Sequence, residues 1–374
     1  MELEEVKSFI LERTLKMAEK AGNRLPCGTQ NGIYHYKDDG GWTGGFNIGL
    51  LNYCYLLSGD SVYLEYADKP RFRLTDRLKR NPQSLDHDVG FLYLPSEYAR
   101  YKLRGDNDGM KNTVLAAEWL CKRYNPNGRF IRAWNKWGDN EFGSNNEGRI
   151  IIDCMYNLPI LFITAKYTGD KKFYEIAENH AETCLNTIVR PNGTTYHTYV
   201  FDPKTGKPKF GQTFQGYADD SCWSRGQAWA VGGFAMAYAY TGRKEFLEAS
   251  KKTAKVFLDN LEDNYLPKWD FSLKGRKDMP IDASAAVICS SGLLELSKLC
   301  ENYEAMQYRA AAIRLAEAVW EHCALKNGED SDGLITGCTG FYNENAEVNQ
   351  NLIFGDYYFV ETIAMLLGIE KLTQ

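Results

Sequence analysis

The sequence has few of the features that mark several large classes of protein. It has no uncharged apolar run approaching about 18 residues, so we predict no membrane-spanning helix. Its net charge of -5 at pH 7 provides no positive surface for DNA or for a membrane. It also has no P-loop, no GxGxxG after a strand and no GxSxG elbow. We therefore expect no cofactor, no nucleic-acid partner and no membrane partner.

Signals for secretion, disulfides and metals are also scarce. The stretch MELEEVKSFILERTLKMAEK has helically spaced apolar residues among charges and no apolar signal-peptide core, so we expect a cytoplasmic protein. The five histidines lie far apart, and no two cysteines form a CxxC pair, so no metal site is predicted. We expect reduced, mostly buried thiols. The ten cysteines are Cys27, Cys54, Cys121, Cys154, Cys184, Cys222, Cys289, Cys300, Cys323 and Cys338.

A repeated helical pattern predicts the fold. An apolar helix, a short turn and a second helix that opens with a charged residue and an aromatic recur, with turns at Gly59, Gly105, Gly169, Gly242 and Asn302. About a dozen helices in about six hairpins close naturally into two concentric rings. We therefore expect an all-α fold, an (α/α)6 barrel forming one domain over residues 1–374, with long loops at one end that form the active site. The segment TTYHTYVFDPKTGKPKFG predicts a β-hairpin.

Carboxylates in apolar surroundings are the first candidates for chemistry. Asp86 and Asp88 precede an amphipathic helix, where helix capping is a common role for aspartate. Asp153 stands at or inside another predicted helix, in the apolar run GRIIIDCMYNLPIL. An apolar setting raises a carboxyl pKa, which suits a general acid. Arg149 lies four residues earlier, so an i to i+4 ion pair is an equally good account of Asp153.

Aromatic residues are abundant, at 13% of the chain, and several tryptophans lie beside glycine or polar residues. The segment TFQGYADDSCWSRGQAW combines an amide, a cation and flat apolar faces, which together suit a sugar and its carboxylate. His197 lies in a polar loop, where a structural role is the usual one. The candidate sugar-binding residues are Trp42, Trp134, Trp137, His197, Gln215, Trp223, Arg225 and Trp229.

These segments resemble glycoside hydrolase family 88, the unsaturated glucuronyl hydrolases. The similarity rests on WTGGF, LDHDVGFLY, RAW, GRIIIDCMYNLP, YHTYVFDP, WSRGQAW and FGDYYFVE, in that order along nearly the whole chain. It implies an (α/α)6 barrel that removes 4,5-unsaturated glucuronic acid from lyase-generated glycosaminoglycan oligosaccharides. It also implies that Asp153 is the acid/base and Asp88 the second essential carboxylate. Trp42, Trp134, His197, Gln215, Trp223, Arg225 and Trp229 would line the sugar site.

One segment departs from part of the family. Members that prefer sulfated disaccharides resemble one another in a Ser-x-x-Ser-x-Lys stretch before the GDYY motif. This chain has TGCTGFYNENAEVNQNLIFGDYY there, and a loose alignment places Glu344 where the lysine would be. We therefore expect no strong adaptation to sulfate through this loop.

Three alternatives remain open at this point. The unsaturated rhamnogalacturonyl hydrolases, which act on pectin fragments, have a motif resembling RGxGW where this chain has RGQAW. A sugar epimerase on a similar barrel would use histidine bases, and this chain has only five histidines. A non-catalytic sugar-binding protein would not need Asp153 in an apolar setting.

Overall fold

Helices account for most of the chain. The computed structural model describes residues 1–138, 140–326 and 331–374. The α-helices in these ranges are α1 (Leu3–Ala21), α2 (Gly44–Ser58), α3 (Val62–Arg80), α4 (Val89–Tyr93), α5 (Ala99–Arg104), α6 (Asn107–Cys121), α7 (Glu141–Ser144), α8 (Pro159–Thr168), α9 (Lys171–Thr187), α10 (Ser224–Thr241), α11 (Lys244–Asp259), α12 (Ala283–Leu299), α13 (Asn302–His322) and α14 (Ile353–Leu366). A π-helical turn, Leu94–Tyr98, joins α4 to α5, and short 3-10 helices cover Pro82–Ser84, Asn145–Gly148, Ile152–Tyr156, Phe271–Leu273 and Tyr342–Glu344.

The predicted hairpin turns are confirmed at four glycines. Gly59, Gly105, Gly169 and Gly242 each cap a helix in the left-handed conformation, with φ of 75°, 66°, 77° and 69°. A Cβ added to any of them would meet no atom of the described residues within 4 Å, so backbone conformation rather than space favours glycine. Asn302 also has a positive φ, of 48°, but it begins α13 instead of capping α12.

Alternate helices form an inner ring. The helices α2, α4 with its π-helical extension, α8, α10, α12 and α14 contact one another in a closed circuit, since α14 packs against α2. Their sequence neighbours α3, α6, α9, α11 and α13 pack on the outside, and α1 packs against α2, α3 and α14. This is the arrangement expected of an (α/α)6 barrel.

Burial explains which helices lie inside. Every residue of α14 from Ile353 to Met365 is buried, and so is every residue of α10 from Ser224 to Ala237. The outer helix α11 is amphipathic and buries one face, which is the usual pattern for a helix with one side in water. Small residues bring the inner helices close together: a Cβ on Gly292 of α12 would lie 2.8 Å from the Gly232 nitrogen of α10.

Short β-strands lie in the segments that connect the helices. They are β1 (Pro26–Gln30), β2 (Ile33–Tyr36), β3 (Tyr124–Asn125), β4 (Phe130–Ile131), β5 (Arg149–Ile151), β6 (Thr198–Phe201) and β7 (Pro208–Gln212). The predicted hairpin is β6–β7, and β5 pairs antiparallel with β6 to make a three-stranded sheet. The expectation that Asp153 stands at or inside a regular helix is wrong in detail. It lies in the 3-10 helix between β5 and α8, because the β-branched residues Ile150 and Ile151 belong to strand β5 and the helix turn begins only at Ile152.

The core is continuous along the chain. Buried apolar side chains from Val6 to Leu372 belong to one cluster. All ten cysteines are free, and only Cys121 and Cys300 are partly exposed. Over the described ranges, we find no helix with the length and apolar character needed to span a membrane.

Candidate active site

A cavity at the N-terminal ends of the inner helices gathers most of the predicted site residues. Its volume is about 190 Å³. The lining residues are Trp42, Asp86, Asp88, Trp134, Trp137, Asp153, Phe214, Gln215, Trp223, Arg225, Trp229 and Phe341. A larger groove of about 630 Å³ runs along α8 and α9 and contains none of the predicted residues. Because only the smaller cavity brings carboxylates, a cation and tryptophans together, we take it as the candidate site.

The barrel topology explains this convergence. Trp42 precedes α2, Asp88 precedes α4, Asp153 lies just before α8, and Trp223 is the N-cap of α10. These positions are far apart in sequence, but inner helices of the same direction start at one end of the ring. The loops before them therefore meet around a single cavity.

Asp88 and Asp153 form a close carboxylate pair on this cavity. One oxygen of each carboxylate and one ring nitrogen of His87 all lie within 4.8 Å of one another. His87 Nε2 is 3.6 Å from Asp88 Oδ1 and 3.9 Å from Asp153 Oδ1. The Asp153 side chain is 17% exposed, so it reaches the cavity. In the described structure its Oδ1 has no hydrogen-bond partner.

The surroundings favour protonated forms of both carboxyls. Burial raises the pKa of Asp153 to about 7, the negative charge of Asp86 adds to this, and Arg225 opposes it. Burial, with the charges of Asp86 and Asp153, raises the pKa of Asp88 well above its usual range. Burial also lowers the pKa of His87 far below its usual value, so this imidazole is neutral and supplies no counter-charge. The pair can therefore retain a proton near neutral pH.

The helix-capping role expected of Asp86 and Asp88 is not what their side chains do in the described structure. Asp86 Oδ1 accepts a hydrogen bond from the Asp88 backbone nitrogen at 3.0 Å. The Asp88 side chain, although it stands at the N-cap of α4, makes no capping bond to that helix within the described structure. Asp88 is instead turned toward Asn157, whose Nδ2 is 3.5 Å from its Oδ1.

Arg149 does not form the ion pair with Asp153 that the spacing allowed. Its guanidinium donates to Asn146 Oδ1 at 2.8 Å, to Thr198 Oγ1 at 2.7 Å and to Gln212 Oε1 at 3.0 Å. The i to i+4 rule applies to helices, and Arg149 begins a strand. Arg149 therefore stabilises the three-stranded sheet beside the cavity.

Arg225 lines the cavity but is held firmly by the protein. Its Nη1 donates to Asp282 Oδ2 at 2.6 Å, to Ser284 Oγ at 3.3 Å and to the Thr339 carbonyl at 2.6 Å. Its Nη2 donates to the Gly340 carbonyl at 3.1 Å. Arg225 is therefore a fixed cation already paired with Asp282, and a substrate carboxylate would compete with these contacts for its N–H groups.

Aromatic rings form the walls. Trp134 and Trp137 pack at a centroid distance of 4.6 Å, and Phe214 lies 5.7 Å from each of them. Trp42 packs on Phe354 at 5.0 Å on another wall. These faces suit the C–H surface of a sugar ring.

His197 lies behind the cavity lining. Its Nδ1 accepts hydrogen bonds from the backbone nitrogens of Phe214 and Gln215 at 3.0 and 3.2 Å, and its ring packs 4.5 Å from that of Trp223. Burial lowers its pKa well below the usual value, so it stays neutral. It therefore positions Gln215, whose Nε2 donates to the Gly340 carbonyl at 3.2 Å.

Sequence reasoning missed several neighbours of the carboxylate pair. His87 stands between the two aspartates of LDHDVG, and this flanking was the one signal that could have found it. Phe214 and Phe341 carried no sequence signal, because isolated phenylalanines are common in cores. Glu344, from which the sequence predicts no strong adaptation to sulfate, ends the 3-10 helix Tyr342–Glu344 and is exposed.

The chain matches the model of a known protein family and several known enzymes. The model described as Glycosyl Hydrolase Family 88 matches residues 16–268. The chain belongs to this family. The family 88 chain is 34% identical over 339 residues to the unsaturated chondroitin disaccharide hydrolase of Streptococcus pneumoniae (strain ATCC BAA-255 / R6), covering 90% of this chain and 84% of that protein. It is 35% identical over 358 residues to the unsaturated glucuronyl hydrolase of Bacillus sp. (strain GL1), covering 94% and 93%.

The similarity extends to three dimensions. The crystal structure of the unsaturated glucuronyl hydrolase of Bacillus sp. GL1 matches this chain with a TM-score of 0.92 at 33% sequence identity, covering 97% of this chain and 96% of that one. The recognition of family 88 from its motifs is therefore confirmed, and so is the identification of the chain as a glycoside hydrolase.

Proposed function

We propose that this family 88 hydrolase removes 4,5-unsaturated glucuronic acid from the non-reducing end of oligosaccharides that lyases release from glycosaminoglycans. The observation that carries the proposal is the Asp88–Asp153 pair, with its unpartnered Asp153 oxygen and its raised pKa, in an aromatic cavity. Two relatives support the same substrate class by their names. One is called an unsaturated chondroitin disaccharide hydrolase and the other an unsaturated glucuronyl hydrolase.

The substrate chemistry requires a proton donor near neutral pH. The C4=C5 bond of an unsaturated uronic acid is part of a vinyl ether, so adding a proton to C4 leaves positive charge shared by C5 and the ring oxygen. Water then adds to C5 and loses a proton. The product is a hemiketal, which opens and releases the neighbouring sugar.

Asp153 has the environment for both proton transfers. As a carboxylic acid it gives its proton to C4, and as the resulting carboxylate it takes one from the incoming water. Asp88 helps to keep one carboxyl of the pair protonated, because two carboxylates this close resist ionising together. In ordinary glycosidases the separation of two carboxyls sets the stereochemistry at the anomeric carbon. No such relation applies here, because the anomeric carbon is not attacked.

The other predicted residues would hold the sugar. Trp42, Trp134 and Trp223 would provide stacking faces, Trp229 the floor of the cavity, and Gln215 a hydrogen-bonding amide. Arg225 would attract the uronate carboxylate as a fixed charge. His197 would act through the Gln215 backbone that it holds.

An absorbance assay tests the proposal. The conjugated double bond absorbs in the ultraviolet, and hydration removes that absorbance. Unsaturated chondroitin, hyaluronan, heparin and rhamnogalacturonan disaccharides are each incubated with the enzyme. Loss of absorbance with one or more of the glycosaminoglycan disaccharides is expected. Loss with the rhamnogalacturonan disaccharide alone would favour the pectin alternative, and no loss at all would overturn the reaction.

The sulfate expectation is tested in the same assay. Because a loose alignment places Glu344, which is exposed, where sulfate-preferring members have a lysine, we propose that unsulfated chondroitin disaccharide is hydrolysed faster than its 6-sulfated form. Equal or faster turnover of the sulfated form would contradict this.

A further inference from the structure

A second cluster of reactive side chains lies on the N-terminal hairpin β1–β2. Pro26 pairs with Tyr36 and Thr29 with Tyr34, so β1 contains one extra residue in the stretch opposite His35. A β-bulge of this kind re-aims side chains. The bulge lies where Cys27 of β1 comes close to His35 of β2. A third residue, Glu347, lies beside them.

Glu347 reaches the hairpin from a loop more than 300 residues later in the chain. Its backbone has a left-handed φ of 56°, which is uncommon for a residue with a side chain. Its carboxylate fills the space above two glycines. A Cβ on Gly28 would lie 2.8 Å from Glu347 Oε1, and a Cβ on Gly340 would lie 2.6 Å from Glu347 Oε2. The absence of side chains at both positions is what lets this carboxylate come in.

The three donors suit a metal ion. The sulfur of Cys27, a ring nitrogen of His35 and a carboxylate oxygen of Glu347 all lie within 4.8 Å of one another. Thiolate, imidazole and carboxylate are the ligand types that bind Zn²⁺, and three protein ligands leave a position for water. A polar cavity of about 400 Å³, lined by His35, Glu347, Thr29 and Asn345 among others, opens the cluster to solvent from its His35 and Glu347 side. The His35 side chain is 46% exposed and the Glu347 side chain 21%, whereas Cys27 is buried.

We propose that Cys27, His35 and Glu347 form a site for Zn²⁺ or a similar thiophilic divalent cation, with water as the fourth ligand. Binding forms a metal–sulfur bond and releases the Cys27 thiol proton to solvent. The site is separate from the Asp88–Asp153 pair. It would fasten hairpin β1–β2 to the loop that carries Glu347.

That loop also borders the active-site cavity. The Gly340 nitrogen donates to the Glu347 carbonyl at 2.9 Å. The Gly340 carbonyl in turn accepts from Arg225 Nη2 and Gln215 Nε2, and Phe341 lines the cavity itself. A bound ion would therefore stabilise one wall of the cavity without touching substrate.

Cobalt binding to the full-length protein tests the site. The protein is stripped of metal with a chelator and titrated with Co²⁺, whose bond to a thiolate gives a charge-transfer absorption in the near ultraviolet. We expect this band to saturate at one equivalent and to be displaced by Zn²⁺. Cys121→Ser serves as the matched control, since Cys121 is a partly exposed cysteine outside the cluster, and it should titrate like the unchanged protein.

Two variants make the test decisive. Cys27→Ser should abolish the band. His35→Ala, at a side chain that is 46% exposed, should weaken Co²⁺ binding by more than about 10-fold, since changes even outside the first ligand shell can cost that much. No band in the unchanged protein would overturn the site. So would unaltered binding in His35→Ala, even if Cys27→Ser failed to fold.

Discussion

Asp153 at the cavity and Asp356 in the first turn of α14 lie in similarly apolar surroundings but have different partners. Asp356 is fully buried, whereas 17% of the Asp153 side chain is exposed. Asp356 accepts hydrogen bonds from Tyr34 Oη at 2.6 Å and from the Leu334 and Ile335 nitrogens at 3.1 and 3.0 Å. Asp153 leaves its Oδ1 without a partner in the described structure. Asp356 therefore connects three parts of the fold, whereas Asp153 retains an oxygen for a ligand or a proton.

The difference shows that burial alone does not identify a catalytic carboxyl. Burial raises the pKa of both groups, to about 7 for Asp153 and to about 6 for Asp356. At Asp356 three donors favour the charged form and partly offset that burial. At Asp153 the largest influence after burial is another negative charge, that of Asp86, which raises the pKa further. The two aspartates differ in unused hydrogen-bonding capacity, which the Asp153 Oδ1 has in the described structure.

The largest expected effect is on activity at Asp153. Asp153→Asn keeps the shape of the side chain but has no proton to give, so kcat in the absorbance assay should fall by about 10²–10⁴-fold or more. Thermal unfolding at pH 7 should show no loss of stability, because within the described structure the Oδ1 has no bond to lose and the neutral amide carries no cost of burying a charge. Near-normal turnover in this variant would remove Asp153 from the mechanism.

The reverse pattern is expected at Asp356. Asp356→Asn replaces one accepting oxygen with an NH₂ group, which leaves a buried donor unpaired and should lower the free energy of unfolding by about 1–3 kcal/mol. Urea denaturation measures this loss. Activity per folded molecule should stay near that of the unchanged enzyme. If Asp356→Asn instead lost activity without losing stability, the two aspartates would not differ in the way described.

The raised pKa of Asp153 predicts how activity and stability depend on pH. Because the acid form of Asp153 is required, kcat should fall as the pH rises through about 7. The free energy of unfolding should also fall as the pH rises, for the following reason. The folded state holds a proton that the unfolded state releases above the ordinary aspartate pKa of 3.8, so the Asp153 contribution to stability is lost as the pH rises toward about 7. Denaturation of Asp153→Asn should therefore depend less on pH between 4 and 7 than that of the unchanged protein.

The smallest effect is expected at Asp86. Asp86→Asn removes a negative charge that raises the pKa of Asp153, so the fall in kcat should move to lower pH. Asp60→Asn is the matched control: Asp60 Oδ1 also accepts a bond from the backbone nitrogen two residues on, but it lies outside the cavity. An unchanged pH profile in Asp86→Asn would show that burial alone sets the pKa of Asp153.

The helical framework could be predicted from the sequence because its signals are local. A glycine that needs a left-handed backbone marks a turn at Gly59, Gly105, Gly169 and Gly242, and the motifs around Asp88 and Asp153 identify the family. The relation of Arg149 to Asp153 could not be predicted in the same way. It depends on whether residues 149–151 are helix or strand, and pairing with β6, almost 50 residues later, decides that.

The sequence by itself therefore determined the helical hairpins, the family and most of the cavity residues, since each depends on backbone preference or on short motifs. Only the tertiary structure decided which buried aspartate has unused hydrogen-bonding capacity. It also decided that His87 stands against both carboxylates, and that Cys27 and His35 meet Glu347. The physical reason is that pKa values and ligand sets depend on distances across the fold, and the closing of the helical ring sets those distances.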